Sequence, residues 1–162
     1  MSNATLSMEL SFPSELGYEK VARDAVAAFA RRLGFDRERV EDLKTALGEA
    51  CINAIEHGNG RTPGLHVEVS CVCEGERLTI EVHDRGLNRY QGVSSEVGID
   101  MKLKGLAPLR GMGLMMIAQL VDEAGFTESQ DGGNHFRLSL IRRVPSGPVH
   151  APAERSQVHT GT

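Results

Sequence analysis

Glu41-Asp-Leu-Lys-Thr-Ala-Leu-Gly-Glu-Ala-Cys-Ile-Asn-Ala-Ile-Glu-His-Gly-Asn59 is the stretch whose reading decides the fold. Val40, Leu43, Leu47, Ala50 and Ala54 recur at three- and four-residue steps, the period of an amphipathic helix. Asp36 stands where an N-cap is wanted, and Gly58 and Gly60 supply the stop signal past the C-terminus. Glu49, Asn53 and His57 follow one another at i, i+4 and i+8, which stacks three polar side chains along one edge of the apolar face. A carboxylate next to a carboxamide at the rim of a core stripe calls for a reason beyond solvation.

On the N-terminal side, residues 8–12 alternate like a short strand that Pro13 ends, and Ser14 is placed to cap a helix. That helix is expected from Glu15 to Leu33, with Leu16, Val21, Ala25, Val26, Phe29 and Leu33 near helical spacing and Gly34 closing it. On the other side, residues 58–64 form a loop dense in breakers. Leu65, Val67, Val69, Cys71 and Cys73 then share one parity, and Leu78, Ile80 and Val82 share one in a second strand. Glu74 to Arg77 reads as the hairpin turn between them. Asp84 keeps the parity of Leu78, Ile80 and Val82, so it is expected to face the buried side at the strand's end.

Residues 87–110 show little periodicity and read as a lid-like loop. Gly111-Met112-Gly113 opens an expected helix from Leu114 to Glu123, and a last hairpin follows over 124–142, turning at Asp131-Gly132-Gly133 with Phe136, Leu138 and Leu140 inward. The reading is α+β: a two-layer α/β sandwich, mostly antiparallel sheet with three helices on one face. It places a disordered start at 1–7, one domain at 8–143 and a Pro/Ser/Gly/His-rich disordered tail at 144–162.

Composition excludes several classes. The 162 residues are 40% hydrophobic and 25% charged with net charge −4, so there is no basic excess for nucleic acid. With 4% aromatics and no Trp, an aromatic platform for single strands is absent. No apolar run approaches a membrane span, no signal peptide is seen, and three cysteines, an odd number, suit reduced thiols in the cytoplasm. Cys71 and Cys73 with His66 and His83 lack zinc spacing. The P-loop string is missing, and Gly111-Met112-Gly113 lacks the third glycine of a dinucleotide fingerprint.

Four elements therefore stand in order: E-A-C-I-N-A-I-E-H on a helix, H-D-R-G at a strand end, R-G-M-G-L at a helix, and a closing G-G-N-H-F hairpin. This ordered set resembles the Bergerat-fold (GHKL) ATPases over roughly residues 8–142. It is most similar to the serine kinases that act as anti-sigma factors in bacterial partner switching. The resemblance implies ATP and magnesium as cofactors. It makes Asn53 the magnesium ligand and Glu49 the general base toward a partner's serine hydroxyl. Asp84 becomes the acceptor for the adenine amino group, with Gly86 allowing close backbone approach. Gly111 and Gly113 become the phosphate glycines at a helix N-terminus, with Arg110 adding charge there.

The chain departs from the family pattern twice. Asn88 stands where relatives often carry a second glycine, and Asn134 stands where a threonine commonly helps hold adenine. The implied partners are a sigma factor, a STAS-domain antagonist that carries the target serine, and a second copy in a homodimer, with no direct nucleic acid and no membrane. Two alternatives stay open: a nucleotide-gated binding regulator without kinase activity, and a histidine-kinase-type catalytic domain. Taken singly, each motif has a plain reading too: Glu49 and Asn53 as an exposed helix edge, Asp84 as a turn residue, His57 as a polar helix end.

Overall fold

The computed structural model describes residues 4–86, 108–127 and 131–143. Strand β1 (Leu6–Pro13) leads into helix α1 (Tyr18–Arg32) and helix α2 (Arg37–Asn53), whose last turn continues as a π turn over Ala54–Gly58. Then come β2 (His66–Glu74), β3 (Arg77–His83), helix α3 (Pro108–Leu120), β4 (Glu123–Thr127) and β5 (His135–Ile141). The five strands form one sheet in the order β1-β2-β3-β5-β4, and every pairing is antiparallel. The α+β reading therefore holds, with the helices against one face of an open sheet. The larger part of the expected lid (87–107) and the expected tail (144–162) lie outside the described residues.

Sequence parity accounts for the sheet. Val67, Val69, Cys71 and Cys73 of β2, Leu78, Ile80 and Val82 of β3, and Phe136, Leu138 and Leu140 of β5 are all buried against the helices. Glu74 opposes Arg77 across a two-residue turn in which Gly75 takes φ +60°, the geometry such tight hairpins demand. Facing the sheet, α2 buries Val40, Leu43, Leu47 and Ala50, the expected stripe. Asp36 does cap this helix: its Oδ1 accepts from the Arg39 amide at 2.9 Å, a contact worth about 1 kcal/mol.

The first helix differs from expectation at both its start and its phase. It begins at Tyr18, and Ser14 is not its cap: the Ser14 amide donates to the Leu65 carbonyl at 2.9 Å, which holds the residue at the head of β2. The stripe that packs on α2 is Ala22, Val26, Ala27 and Ala30, whereas Leu16 and Val21 are exposed. Small side chains let the two helices approach closely, and that packing outweighs the larger residues' hydrophobicity. Arg142 closes the C-terminal end, its Nη1 donating to the Leu33 carbonyl at 2.8 Å.

Helix α3 also starts before the expected Leu114, at Pro108, a residue whose fixed φ and missing N–H suit the first helical position. Gly111 and Gly113 thus lie inside helical turns and do not precede them.

The three cysteines are free and buried. Burial pushes the Cys51 thiol above the ordinary thiol range and Cys71 up to about 12, and Cys73 shifts the same way. A thiol-reactive disulfide reagent at mildly alkaline pH is expected to leave all three unmodified in the folded chain and to react with all three in denaturant. Rapid labelling of the native protein would contradict this packing.

Candidate functional site

The site begins where α2 loses its regular period. Asn59 donates its amide to the Ala54 carbonyl at 2.8 Å, an i→i+5 bond that admits one extra residue into the last turn. Glu49 and Asn53 stay on the regular helix, whereas His57 sits in the π turn, past the end of their row. The widened turn delivers the Gly58 backbone onto Asp84 at the end of β3. A Cβ on Gly58 would overlap the Asp84 carboxylate, and one on Gly86 would overlap the Gly58 carbonyl. From the closing hairpin Gly133, at φ +74°, presses on the Asp84 carbonyl in the same way. Three chain segments thus meet at distances only glycine permits.

Asp84 is 3% exposed, as its parity in β3 implied. Its Oδ1 accepts from the Gly86 amide at 3.0 Å, the Asn134 amide at 3.1 Å and Asn134 Nδ2 at 3.1 Å, and its Oδ2 accepts from Asn134 Nδ2 at 3.2 Å. Burial raises the pKa of this carboxyl, partly offset by the Asn134 and Gly86 donors and by the nearby His83. Asn134, expected at this wall, therefore touches Asp84 directly.

A narrow cleft opens beside this carboxylate, walled by Ala50 and Ala54 of α2 and its π turn, Val82, Leu114, Phe126 and Phe136, with Asn53, Asp84 and Asn134 as its polar groups. Phe126 and Phe136 meet edge to face at 5.1 Å. The apolar lining and the buried Asp84 carboxylate thus meet at one place.

At the far side of the cleft, α3 crosses the C-terminal half of α2. A Cβ on Gly113 would lie 3.2 Å from Glu49 Oε2 and 3.7 Å from Asn53 Nδ2. The carboxylate, the carboxamide and an open backbone are thus neighbours. These oxygen donors fit a hard divalent cation that keeps part of its water shell. Arg110 and Gly111 stand in the first turn of α3, where helical amides lack intrahelical partners; Gly113 lies beyond that turn, and what it contributes is space. Asn88 is outside the described residues.

One organising residue escaped the sequence reading. Asn59 is 2% exposed, donates Nδ2 to Ser14 Oγ at 2.9 Å and to the His66 carbonyl at 3.1 Å, and accepts the Arg85 amide on Oδ1 at 2.8 Å. It ties the π turn to β1, β2 and the Asp84–Gly86 corner. The only sequence signal was its place between Gly58 and Gly60, which reads simply as a loop.

The comparisons fall on this geometry. The model of the histidine kinase-like ATPase domain matches residues 12–140. This chain belongs to that family. It is 32% identical over 144 residues to an anti-sigma F factor of Thermoanaerobacter, covering 83% of this chain and 93% of the relative. It is 34% identical over 134 residues to the anti-sigma F factor of Clostridium acetobutylicum, covering 77% and 85%. Over 120 residues it is 32% identical to the serine-protein kinase RsbW of Bacillus mycoides, covering 72% and 74%. Among solved structures it resembles the RsbU and RsbW domains of a Mycobacterium tuberculosis protein, with TM-score 0.59 and 18% identity over 85% of this chain and 32% of that one. It also resembles the SiaB–SiaC complex from Pseudomonas aeruginosa, with TM-score 0.53 and 18% identity, covering 82% and 89%. These two likenesses establish the fold. The sequence relatives place the chain among the anti-sigma-factor kinases of the GHKL group, whose domain uses ATP.

A stability prediction follows from Asp84. Its folded pKa lies above its ordinary value, so its contribution to stability is present at acid pH and is lost as pH rises through the raised value. Asp84→Asn is therefore expected to melt no lower than the parent at neutral pH, with the difference closing on acidification. The Asn134 amide can turn to present its oxygen. A clear loss of melting temperature at neutral pH would show that the charge itself holds the fold.

Proposed function

We propose that this protein is a Mg-ATP-dependent serine-protein kinase and anti-sigma factor, which binds a sigma factor and phosphorylates a STAS-type antagonist. The observation that carries the proposal is that Glu49 and Asn53 flank Gly113 while Asn53 also lines the cleft that holds the buried acceptor Asp84. The relatives' names, anti-sigma F factor and serine-protein kinase RsbW, agree with it.

In this reading Asp84 accepts a hydrogen bond from the exocyclic amino group of adenine, while Ala50, Ala54, Val82 and Phe136 exclude water from the ring. Asn53 offers its amide oxygen to magnesium, and Gly113 leaves the phosphates space beside it. Bound Mg-ATP supplies the phosphoryl group and the charge neutralisation that lets a hydroxyl approach it. Glu49 takes the proton from the serine hydroxyl as the serine oxygen bonds to the γ-phosphorus and the bond to the β-phosphate oxygen breaks, releasing ADP. Arg110 and the Gly111 amide, in the first turn of α3, add positive potential on the phosphate side. Nucleotide state is read by partners through the segment between Gly86 and α3, and the protein acts as a homodimer in the cytoplasm. No helix among the described residues is long and apolar enough to cross a membrane.

Affinity capture from host lysate, once with Mg-ATP and once with Mg-ADP, tests the function. A sigma factor is expected with ATP and a STAS protein with ADP. The captured STAS protein should gain acid-stable phosphoserine with the parent and none with Glu49→Gln, which keeps ATP affinity. Partners without phosphoserine would leave a nucleotide-gated regulator; acid-labile phosphohistidine would point to the histidine-kinase type. Neither partner in either state would defeat the anti-sigma reading.

A further inference from the structure

Helices α2 and α3 run antiparallel and meet at two places. One is the phosphate end of the site, where Gly113 faces Glu49 and Asn53. The other lies at the opposite end of both helices and is built on Arg39, an arginine only 6% exposed in the first turn of α2. Arg39 Nη1 donates to the Leu120 carbonyl, the last residue of α3, at 3.2 Å, and Nη2 donates to Asp122 Oδ2. Asp42, one turn along α2, lies 3.6 Å from Nη1. Asp122 is itself fixed to the sheet: its Oδ2 accepts the Ile141 amide at 2.7 Å, and its own amide donates to the Ser139 carbonyl at 3.0 Å.

Among the described residues, the buried side chains of α3 and its end are apolar. Ile117 and Val121 are buried, whereas Met115 and Met116 face outward at 44% and 42% exposure. Such contact is non-directional and does little to fix where a helix sits along its own axis. A guanidinium that donates to the terminal carbonyl and to an anchored carboxylate does fix it, and it also complements the helix dipole. Each residue of axial slip moves a helix by about 1.5 Å, enough to carry Gly113 off Glu49.

We propose that Arg39 is a positioning residue for the phosphate half of the site: by clamping Leu120 and Asp122 it sets the register of α3 on α2 and holds Gly113 against Glu49 and Asn53. This rests on the nucleotide reading above for its functional consequence, but the clamp itself is independent of any nucleotide. The base half, built on Asp84, Gly86 and Gly133, shares no contact with Arg39 among the described residues.

The test compares the parent chain with Arg39→Gln, Arg39→Lys and Asp122→Ala. The last sits at a partly exposed side chain, so it secures the test if Arg39→Gln folds poorly. Amide hydrogen exchange without nucleotide reads the clamp: α3 is expected to lose protection in Arg39→Gln while β2, β3 and β5 keep theirs. Binding of adenosine and of Mg-ATP reads the consequence. Adenosine affinity should be unchanged, Mg-ATP affinity should fall about tenfold and phosphotransfer about a hundredfold, the order expected of an ångström-scale misplacement. Arg39→Lys should restore part of the loss, and Asp122→Ala should follow Arg39→Gln at smaller size.

Unchanged α3 protection in Arg39→Gln would overturn the clamp, and so would parallel losses in adenosine and ATP affinity, which indicate general destabilisation. A parent protein that binds no adenine nucleotide would overturn the site reading instead, with hydrogen exchange still deciding the clamp.

Discussion

A carboxylate shut away from water must be met by donors, and Asp84 imposes that condition on this end of the molecule. Its surroundings supply backbone and amide N–H groups from Gly86 and Asn134, and they can do so only because Gly58, Gly86 and Gly133 lack side chains. The π turn after Asn53, the Asn59 tether and the two positive-φ glycines of the closing hairpin are separate devices for the same close approach. Ionising so buried a group works against folding.

The cleft divides its work along α2. In the proposed function, the C-terminal turns of that helix carry Glu49 and Asn53 to the phosphate side, and the π turn immediately after them shapes the base side. The base side is locked by backbone contact. The proposed phosphate side also involves α3, at whose far end the buried Arg39 donates to the Leu120 carbonyl and to Asp122. The proposed base half thus rests on backbone contacts, and the proposed phosphate half on the placement of α3. A nucleotide whose triphosphate and diphosphate forms engage that second half differently has a physical route to two protein states.

Strand parity in the sequence was enough to place Asp84 on the buried face and to build the sheet, because a period of two leaves no freedom of phase. Helix phase is looser, and there the reading slipped. Val21 matched a helical stripe yet faces solvent, since the alanines of the buried face let α1 pack closely on α2, and Leu16 lies before the helix begins at Tyr18. The π turn was invisible because one extra residue changes no composition, and it removed His57 from the row that Glu49 and Asn53 share. Arg39 lay next to Val40, just before the key stretch, but a charged residue in a first helical turn reads as surface until its partner eighty-one residues later is known. Asn59 was hidden for the same reason, as its role is decided by a contact distant in sequence.

The most direct test of the central claim is a crystal structure of the protein with magnesium and a non-hydrolysable ATP analogue. The account predicts adenine in the slot between Ala54 and Phe136, its amino group donating to Asp84. The metal should rest on the Asn53 amide oxygen, and the terminal phosphate should lie beside Gly113 within reach of Glu49. A nucleotide bound elsewhere, or bound here with its base turned away from Asp84, would contradict it.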